Sequence, residues 1–269
     1  MTSHRGVGGL TGQRVSVCIP ARNEEGSIAP LLHLLTAERD RGVIHEIVVL
    51  DHGSTDETAR VARAAGARVV DANAVARTWG PAQGKGDVLW RSLLVSDGEI
   101  VVWLDADLTS FPADGVRRLI RPLLDDDSVV LVKGAFSRSL HGQAGEGGRV
   151  TELAARPVLS LLAPELAHLR QPLSGQCAIR RRAAEDVVFE VDYGVEVGLL
   201  LDLAYEHGPE AIHEVDLGPL DHRHQSLSAL SRQAEQVLRA VLSRRGHREL
   251  EARTVGRPPV SSLRMAVVA

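Results

Sequence analysis

Lysine is nearly absent from this chain. Of 31 lysines and arginines only Lys85 and Lys133 are lysines, and arginine supplies the rest. Aromatic residues make up 3% of the 269 positions, which excludes a surface built to stack bases. The formal net charge of −4 excludes an overall basic field that recruits nucleic acid. There are two cysteines, Cys18 and Cys177, each inside an apolar run. They are expected to be buried free thiols rather than a disulfide. No apolar run reaches the about 18 residues needed to span a bilayer. The opening MTSHRGVGGLTGQR lacks the apolar stretch of a secretory signal. The expectation is a cytoplasmic protein with no nucleic-acid and no membrane partner. No repeat is visible, and no GxGxxG or Walker sequence follows the first apolar run, so a dinucleotide site or a P-loop has little support.

What is present is an alternation of short apolar runs and amphipathic segments. With 44% hydrophobic residues the chain can build one large α/β core. Strands are expected at 14–19, 46–50, 67–72, 99–104 and 128–134, ending on polar clusters. Helices lie between them: one N-capped by Ser27, one in TARVARAAG closed by Gly66, then 87–95 and 112–124. This β-α-β-α-β order implies parallel strands with right-handed crossovers. After Gly134 the pattern changes to a glycine-rich loop at 140–148 and a helix at 149–162 interrupted by Pro157. Beyond it come a strand at 177–180, a helix at 195–207, a strand at 211–217 and a long helix at 227–245, on which two subunits can pair. The division expected is 14–135, 136–245 and a frayed tail over 246–269.

In an open parallel sheet, ligands bind beyond the carboxyl ends of the strands. Four clusters converge there: PARNEE, DHGSTD, GKGD and DAD. Each alone is ordinary loop chemistry, because Asp, Gly and Ser are common where strands end. Together they are not. In Asp105-Ala-Asp107 the strand period of two is expected to put both carboxylates on one side. A hard divalent cation, Mg²⁺ or Mn²⁺, neutralises such a pair and holds a diphosphate as well. Far along the chain, DLGPLDHRHQS sets His222 and His224 beside Asp221. Zinc there wants two further nitrogen or sulfur ligands, and both cysteines lie in strand-like runs.

PARNE, DHGSTDET, GKGDVLWRSL and WLDADL, in this order, resemble the nucleotide-sugar domain of GT-A glycosyltransferases. GRVTELAARPVLSLL, QPLSG, YGVEVGLLLD and LGPLDHRH continue the resemblance into the second half, where they look like blocks of the glucosyl-3-phosphoglycerate synthase family. The implied fold is α/β: a GT-A, Rossmann-like, nucleotide-sugar-binding sheet, an acceptor-binding α/β half and a long C-terminal helix. The implied activity is retaining, metal-dependent sugar transfer (glucose or N-acetylglucosamine type) from a UDP-sugar with Mg²⁺ or Mn²⁺. Carried over residue by residue, Pro20, Ala21, Asn23, Glu24, Asp51 and Ser54 hold the nucleoside. Lys85 lies beside the donor, Asp105 serves the ribose and metal region, and Asp107 ligates the cation with His222. Glu196 bonds the transferred sugar. Attack is from the front face, near the backbone carbonyl of Leu173, with no covalent nucleophile.

The acceptor side departs from the family. Gly148, Arg149 and Thr151 of GRVTE fit the family's anion cradle, Thr151 near the chemistry as well. The closing loop is roughly arginine-x-histidine-x-asparagine in the family, and here Leu220 and His224 replace the arginine and the asparagine. One lost charge-assisted contact costs about 1.5–3 kcal/mol. The expectation is therefore a small acceptor of secondary metabolism, free or carrier-bound, in a less anionic pocket. Alternatives are glucosyl-3-phosphoglycerate synthesis proper, from UDP-glucose and 3-phosphoglycerate, and a nucleotidyltransferase, for which PARNEEGS is a poor triphosphate loop.

Overall fold

The computed structural model describes residues 12–137, 139–140, 143–144, 148–220, 226–246 and 255–266. The first half runs β1 (Val15–Ala21), α1 (Ile28–Asp40), β2 (Glu46–Asp51), α2 (Thr58–Ala64), β3 (Arg68–Asp71), α3 (Lys85–Val95), β4 (Ile100–Trp103), α4 (Gly115–Asp125) and β5 (Leu131–Ser137). A short hairpin, β6 (Ser139–Leu140) and β7 (Gln143–Ala144), leads to a π-helical turn, Thr151–Ala155, and α5 (Arg156–Leu162). Then come β8 (Cys177–Arg180), α6 (Arg181–Glu185), β9 (Phe189–Glu190), α7 (Val195–His207), β10 (Ile212–Pro219) and α8 (Leu227–Arg244). The last elements are β11 (Gly256–Arg257) and α9 (Val260–Ala266).

Seven strands form one sheet in the order β10-β5-β8-β4-β1-β2-β3. All pairs are parallel except those of β8, which is antiparallel to both β4 and β5. Alternate residues of each strand feed opposite faces, so apolar layers form on both sides of the sheet. Val15, Val17 and Ile19 meet Leu32 of α1 and Leu119 of α4 in one layer. Cys18, Val101 and Trp103 meet Trp90 of α3, Leu159 of α5 and Leu200 of α7 in the other. Both cysteines are buried free thiols, and burial raises each thiol to about 11. Among the described residues no helix is long and apolar enough to cross a membrane.

Three local expectations need correction and one is sharpened. Ser27 stands at the N-cap position of α1 but makes no side-chain cap; its hydroxyl donates instead to Glu24 Oε2 at 2.5 Å. Pro157 interrupts its helix as a widening rather than a break: residues 149–162 are helical throughout, with the π-helical turn directly ahead of α5, which Pro157 enters near its start. A proline has no N–H for the preceding turn, so the ladder widens just before it. β4 ends at Trp103, and residues 106–107 lie in a turn, so strand alternation does not place Asp105 and Asp107. Lastly, residues 255–266 are not frayed. β11 pairs with β9, and Arg257 is 5% exposed, because its guanidinium meets a buried carboxylate there.

Candidate active site

The loops after β1 and β2 are laced together. Asn23, at φ 58°, receives Thr55 N–H on its side-chain oxygen at 2.8 Å, and its own N–H donates to Ser54 Oγ at 3.1 Å. Asp51 Oδ1 accepts from Ser54 N–H at 3.1 Å, and Glu24 N–H donates to Thr58 Oγ1 at 2.7 Å. His52 N–H donates to Ala21 O at 2.9 Å, just past Pro20. The structure thus brings Pro20, Ala21, Asn23, Glu24, Asp51 and Ser54 to one edge of the sheet. One Glu24 oxygen is already taken by Ser27.

The second cluster sits at the ends of β4 and α7. Lys85 Nζ lies 2.6 Å from Asp105 Oδ1 and 2.7 Å from Glu196 Oε1. Burial alone pulls an ammonium pKa down, but Asp105 and Glu196 outweigh it and hold Lys85 well above 10.5. Gln176 Nε2 donates to Asp105 Oδ2 at 3.0 Å, so both oxygens of Asp105 are engaged. The glycines around Lys85 are steric necessities. A Cβ at Gly86 would come 1.8 Å from Glu190 O, and one at Gly84 2.6 Å from Val191 O. The half-exposed Tyr193 feels the charges of Lys85, Glu196, Asp105 and Asp107, which places Asp107 in the same neighbourhood. Asp107 is half-buried.

The turn containing Leu173 is held from below by the chain's other lysine. Lys133 is 2% exposed, and its Nζ donates to Ser174 O at 2.6 Å. On the other side, a Cβ at Gly175 would come 2.5 Å from Lys85 Nζ. The turn passes between the two lysines. Burial pushes the Lys133 amine below 10.5. A base with a depressed folded pKa binds fewer protons folded than unfolded, so stability rises with pH from that folded value up to 10.5. Lys133→Met is expected to remove this alkaline rise, at most about 1.4 kcal/mol per pH unit. Thermal melts of both proteins from neutral to alkaline pH check it, and parallel profiles would refute it.

Gly148, Arg149 and Thr151 stand together where the π-helical turn begins. Gly148 has φ +83°, with the Thr151 side chain 3.7 Å from its Cβ position. Thr151 is 5% exposed and Arg149 half-buried. Leu220 does not face an opening. It is 1% exposed, inside the apolar layer with Leu217 and Phe136, because its N–H donates to Ser137 O and extends the β10–β5 edge. His222 and His224 lie outside the described residues. Among the described residues no group of three or more His, Cys, Asp or Glu is arranged as a metal cage.

Three contributors escaped the sequence reading: Gln176, Lys133 and Tyr193. The first two are brought in by the antiparallel entry of β8 between β4 and β5, and strand periodicity carries no sign of that pairing. Scarcity was the available signal for Lys133, one of two lysines in the chain.

Residues 16–189 match the family model for glycosyl transferase family 2. The glucosyl-3-phosphoglycerate synthase of Mycolicibacterium smegmatis is 43% identical over 239 residues, covering 87% of this chain and 78% of the relative. The protein of the same name from Petrotoga mobilis is 38% identical, over 86% of this chain and 73% of that one. Among solved structures, the Mycobacterium tuberculosis glucosyl-3-phosphoglycerate synthase in complex with Mn²⁺, UDP-glucose and phosphoglyceric acid superposes with a TM-score of 0.85 at 38% identity, covering 94% of this chain and 92% of that one. The same enzyme has been solved with Mg²⁺ and UDP, again at a TM-score of 0.85 and 38% identity over the same shares.

Proposed function

The chain belongs to glycosyl transferase family 2, and from that membership we propose that it transfers glucose from UDP-glucose to 3-phosphoglycerate, with retention at the anomeric carbon. It is a hexosyltransferase with the GT-A fold. The observation that carries the reading is Lys85 bridging Asp105 and Glu196. It joins the acid at the end of the donor strand β4 to the acid on α7, where the second half of the chain meets the first. One cation thereby sets the position of both carboxylates beneath the 173–176 turn.

3-Phosphoglycerate takes precedence over an acceptor from secondary metabolism for two reasons. The relatives named above are synthases of that product, and the solved one holds phosphoglyceric acid. The apolar Leu220, which motivated a changed acceptor, is packed in the core rather than set toward a pocket. Gly148, Arg149 and Thr151 supply a backbone N–H, a guanidinium and a hydroxyl suited to a phosphate or carboxylate.

The donor set suits a hard divalent cation. Asp105 is bonded to Lys85 and Gln176; Asp107, an oxygen donor two residues on, would be the carboxylate for the metal, as the family resemblance implies, with His222 as its partner. When bound, the cation neutralises the departing diphosphate. The protein's own groups orient the sugar: Glu196 would accept from its hydroxyls, and the Leu173 carbonyl, in the turn that Lys133 holds through Ser174 O, would lie near the reacting centre.

The test is UDP release from UDP-glucose and Mn²⁺ with and without 3-phosphoglycerate, with the anomeric configuration of the product read by NMR. Acceptor-dependent release and an α-linked product are expected. Turnover with an unrelated acceptor but not with 3-phosphoglycerate overturns the acceptor assignment. Pyrophosphate release from a nucleoside triphosphate overturns the reaction class.

A further inference from the structure

One buried carboxylate ties three distant parts of this chain together. Asp87, in the first turn of α3, is 0% exposed. Arg257 grips it with two bonds, Nε to Oδ1 at 2.8 Å and Nη2 to Oδ2 at 2.6 Å. Arg91 donates to the same oxygens at 3.0 and 3.4 Å, and Gln83 N–H reaches Oδ2 at 3.0 Å. The remaining Arg91 donors hold the carbonyls of Ala72 at 3.0 Å, Val75, and Gly80 at 2.8 Å. The loop between β3 and α3 therefore hangs on Arg91, and Arg91 is oriented by a carboxylate that Arg257 also fixes.

The connection continues to the nucleoside-side loops. Ala82 N–H donates to Asn73 Oδ1 at 2.9 Å, and the Ala82 carbonyl meets His52 Nε2 at 2.9 Å. His52 sits between Asp51 and Ser54: Asp51 Oδ1 accepts from Ser54 N–H, and Ser54 Oγ accepts from Asn23 N–H. The other end is equally well built. The Arg257 guanidinium carbon is 5.6 Å from the Trp79 ring and 5.9 Å from the Trp90 ring, a geometry that attracts a cation. Trp90 Nε1–H donates to Pro258 O at 2.8 Å. Val191 N–H donates to Val255 O at 3.0 Å, and Val191 O accepts from Asp87 N–H at 3.1 Å, so the same strand clasps the start of α3, where Lys85 stands.

We infer that Arg257 is a positioning residue for the sugar-nucleotide donor, acting through Asp87 and Arg91 on the loop at 72–84 and through His52 on the loop at 51–55. The 255–266 segment is on this view a working part of the donor half. The inference rests on the donor reading above but not on the acceptor. Its electrostatics make it testable: Arg91 alone neutralises Asp87, so losing Arg257 strands no buried charge.

The experiment is R257M in the full chain, with R257K beside it. R180M is the control for general destabilisation. Arg180 ties the carbonyls of Leu123, Val129 and Asp126, where β8 ends, at the opposite edge of the sheet from Asp105. Three readouts are taken: KM and kcat for UDP-glucose, UDP affinity with Mn²⁺ by calorimetry, and hydrogen exchange of amides 72–84. R257M is expected to raise KM for UDP-glucose and weaken UDP binding by about tenfold, the scale of coupling through residues that touch no ligand. Its kcat should change less than about threefold, and exchange at 72–84 should quicken. R257K, which keeps the charge but not the two-pronged grip, should fall between. R180M should lower the melting temperature without moving KM. If R257M leaves UDP affinity within twofold of wild type, or if R180M weakens it equally, the inference is wrong. Should R257M not fold, R257K decides alone by the same UDP criterion. Calorimetry with UDP needs no transfer, so failure of the acceptor assignment is distinguishable from failure of this one.

Discussion

Lys85→Met is expected to cut turnover of UDP-glucose by about 10²- to 10³-fold, the range seen when one preorganised electrostatic group is removed from an active site. Lys85 is the ammonium between Asp105 and Glu196, at 2.6 and 2.7 Å, and both acids are largely enclosed, with side chains 24% and 8% exposed. Without it two carboxylates face each other in a poorly hydrated site, and like charges at that range cannot both stay ionised comfortably. Breaking a buried pair costs about 3–5 kcal/mol, less here because Asp105 keeps some solvent. A domain of this size holds about 5–15 kcal/mol, so the variant stays folded and the activity loss is local.

The pH dependence separates this account from simple unfolding. Lys85 has its pKa held above 10.5, so the stability it contributes is complete below 10.5 and is lost only as pH rises through the folded value. Lys85→Met forfeits that contribution at every pH below. Lys85→Arg should not restore activity, because the planar fork must enter a space where even a Cβ on Gly175 would sit 2.5 Å from Nζ. A Lys85→Met enzyme with a third or more of wild-type kcat/KM would falsify the role.

Much of the site was legible because strand ends are legible. β1, β2 and β4 are apolar runs buried on both faces, and their polar terminators mark the carboxyl edge where a ligand binds. The clusters that contain Asn23, Asp51, Ser54 and Asp105 follow from that one rule; the choice of those residues within them came from the family resemblance. Lys85 followed from its rarity and from the two glycines that flank it, whose steric cause is the passage of residues 190–192 across the start of α3.

What stayed hidden depends on pairing between segments far apart in sequence. β8 lies antiparallel between two strands that precede it by some 70 and 40 residues, and only that insertion carries Gln176 to Asp105 and Ser174 to Lys133. Arg257 looked like part of a loose tail because RPP and small residues read as disorder; its partner Asp87 is 170 positions away. Leu220 was misjudged for a related reason. Its replacement of a charged residue suggested a pocket wall, but direction at a strand end is set by the neighbour it pairs with, here Ser137.

The two acids of DAD should separate cleanly in a paired experiment. Asp105 is a structural carboxylate as well as a site residue, bonded to Lys85 and Gln176, whereas Asp107 lies past the end of β4 in a half-buried turn. Asp107→Asn is expected to abolish measurable Mn²⁺-dependent UDP binding and to lower kcat by about 10²- to 10³-fold. Asp105→Asn removes one of two carboxylates facing Lys85. It should cost stability without metal present, by about 1–3 kcal/mol for a damaged buried charge-assisted bond, and reduce activity as well. Calorimetry of UDP with and without Mn²⁺, set beside thermal melts of the metal-free proteins, reads both quantities. If Asp107→Asn still binds UDP more tightly when Mn²⁺ is added, the assignment of the cation to Asp107 is wrong. The asymmetry arises from the turn at residues 106–107, which takes the second carboxylate out of the strand's alternation.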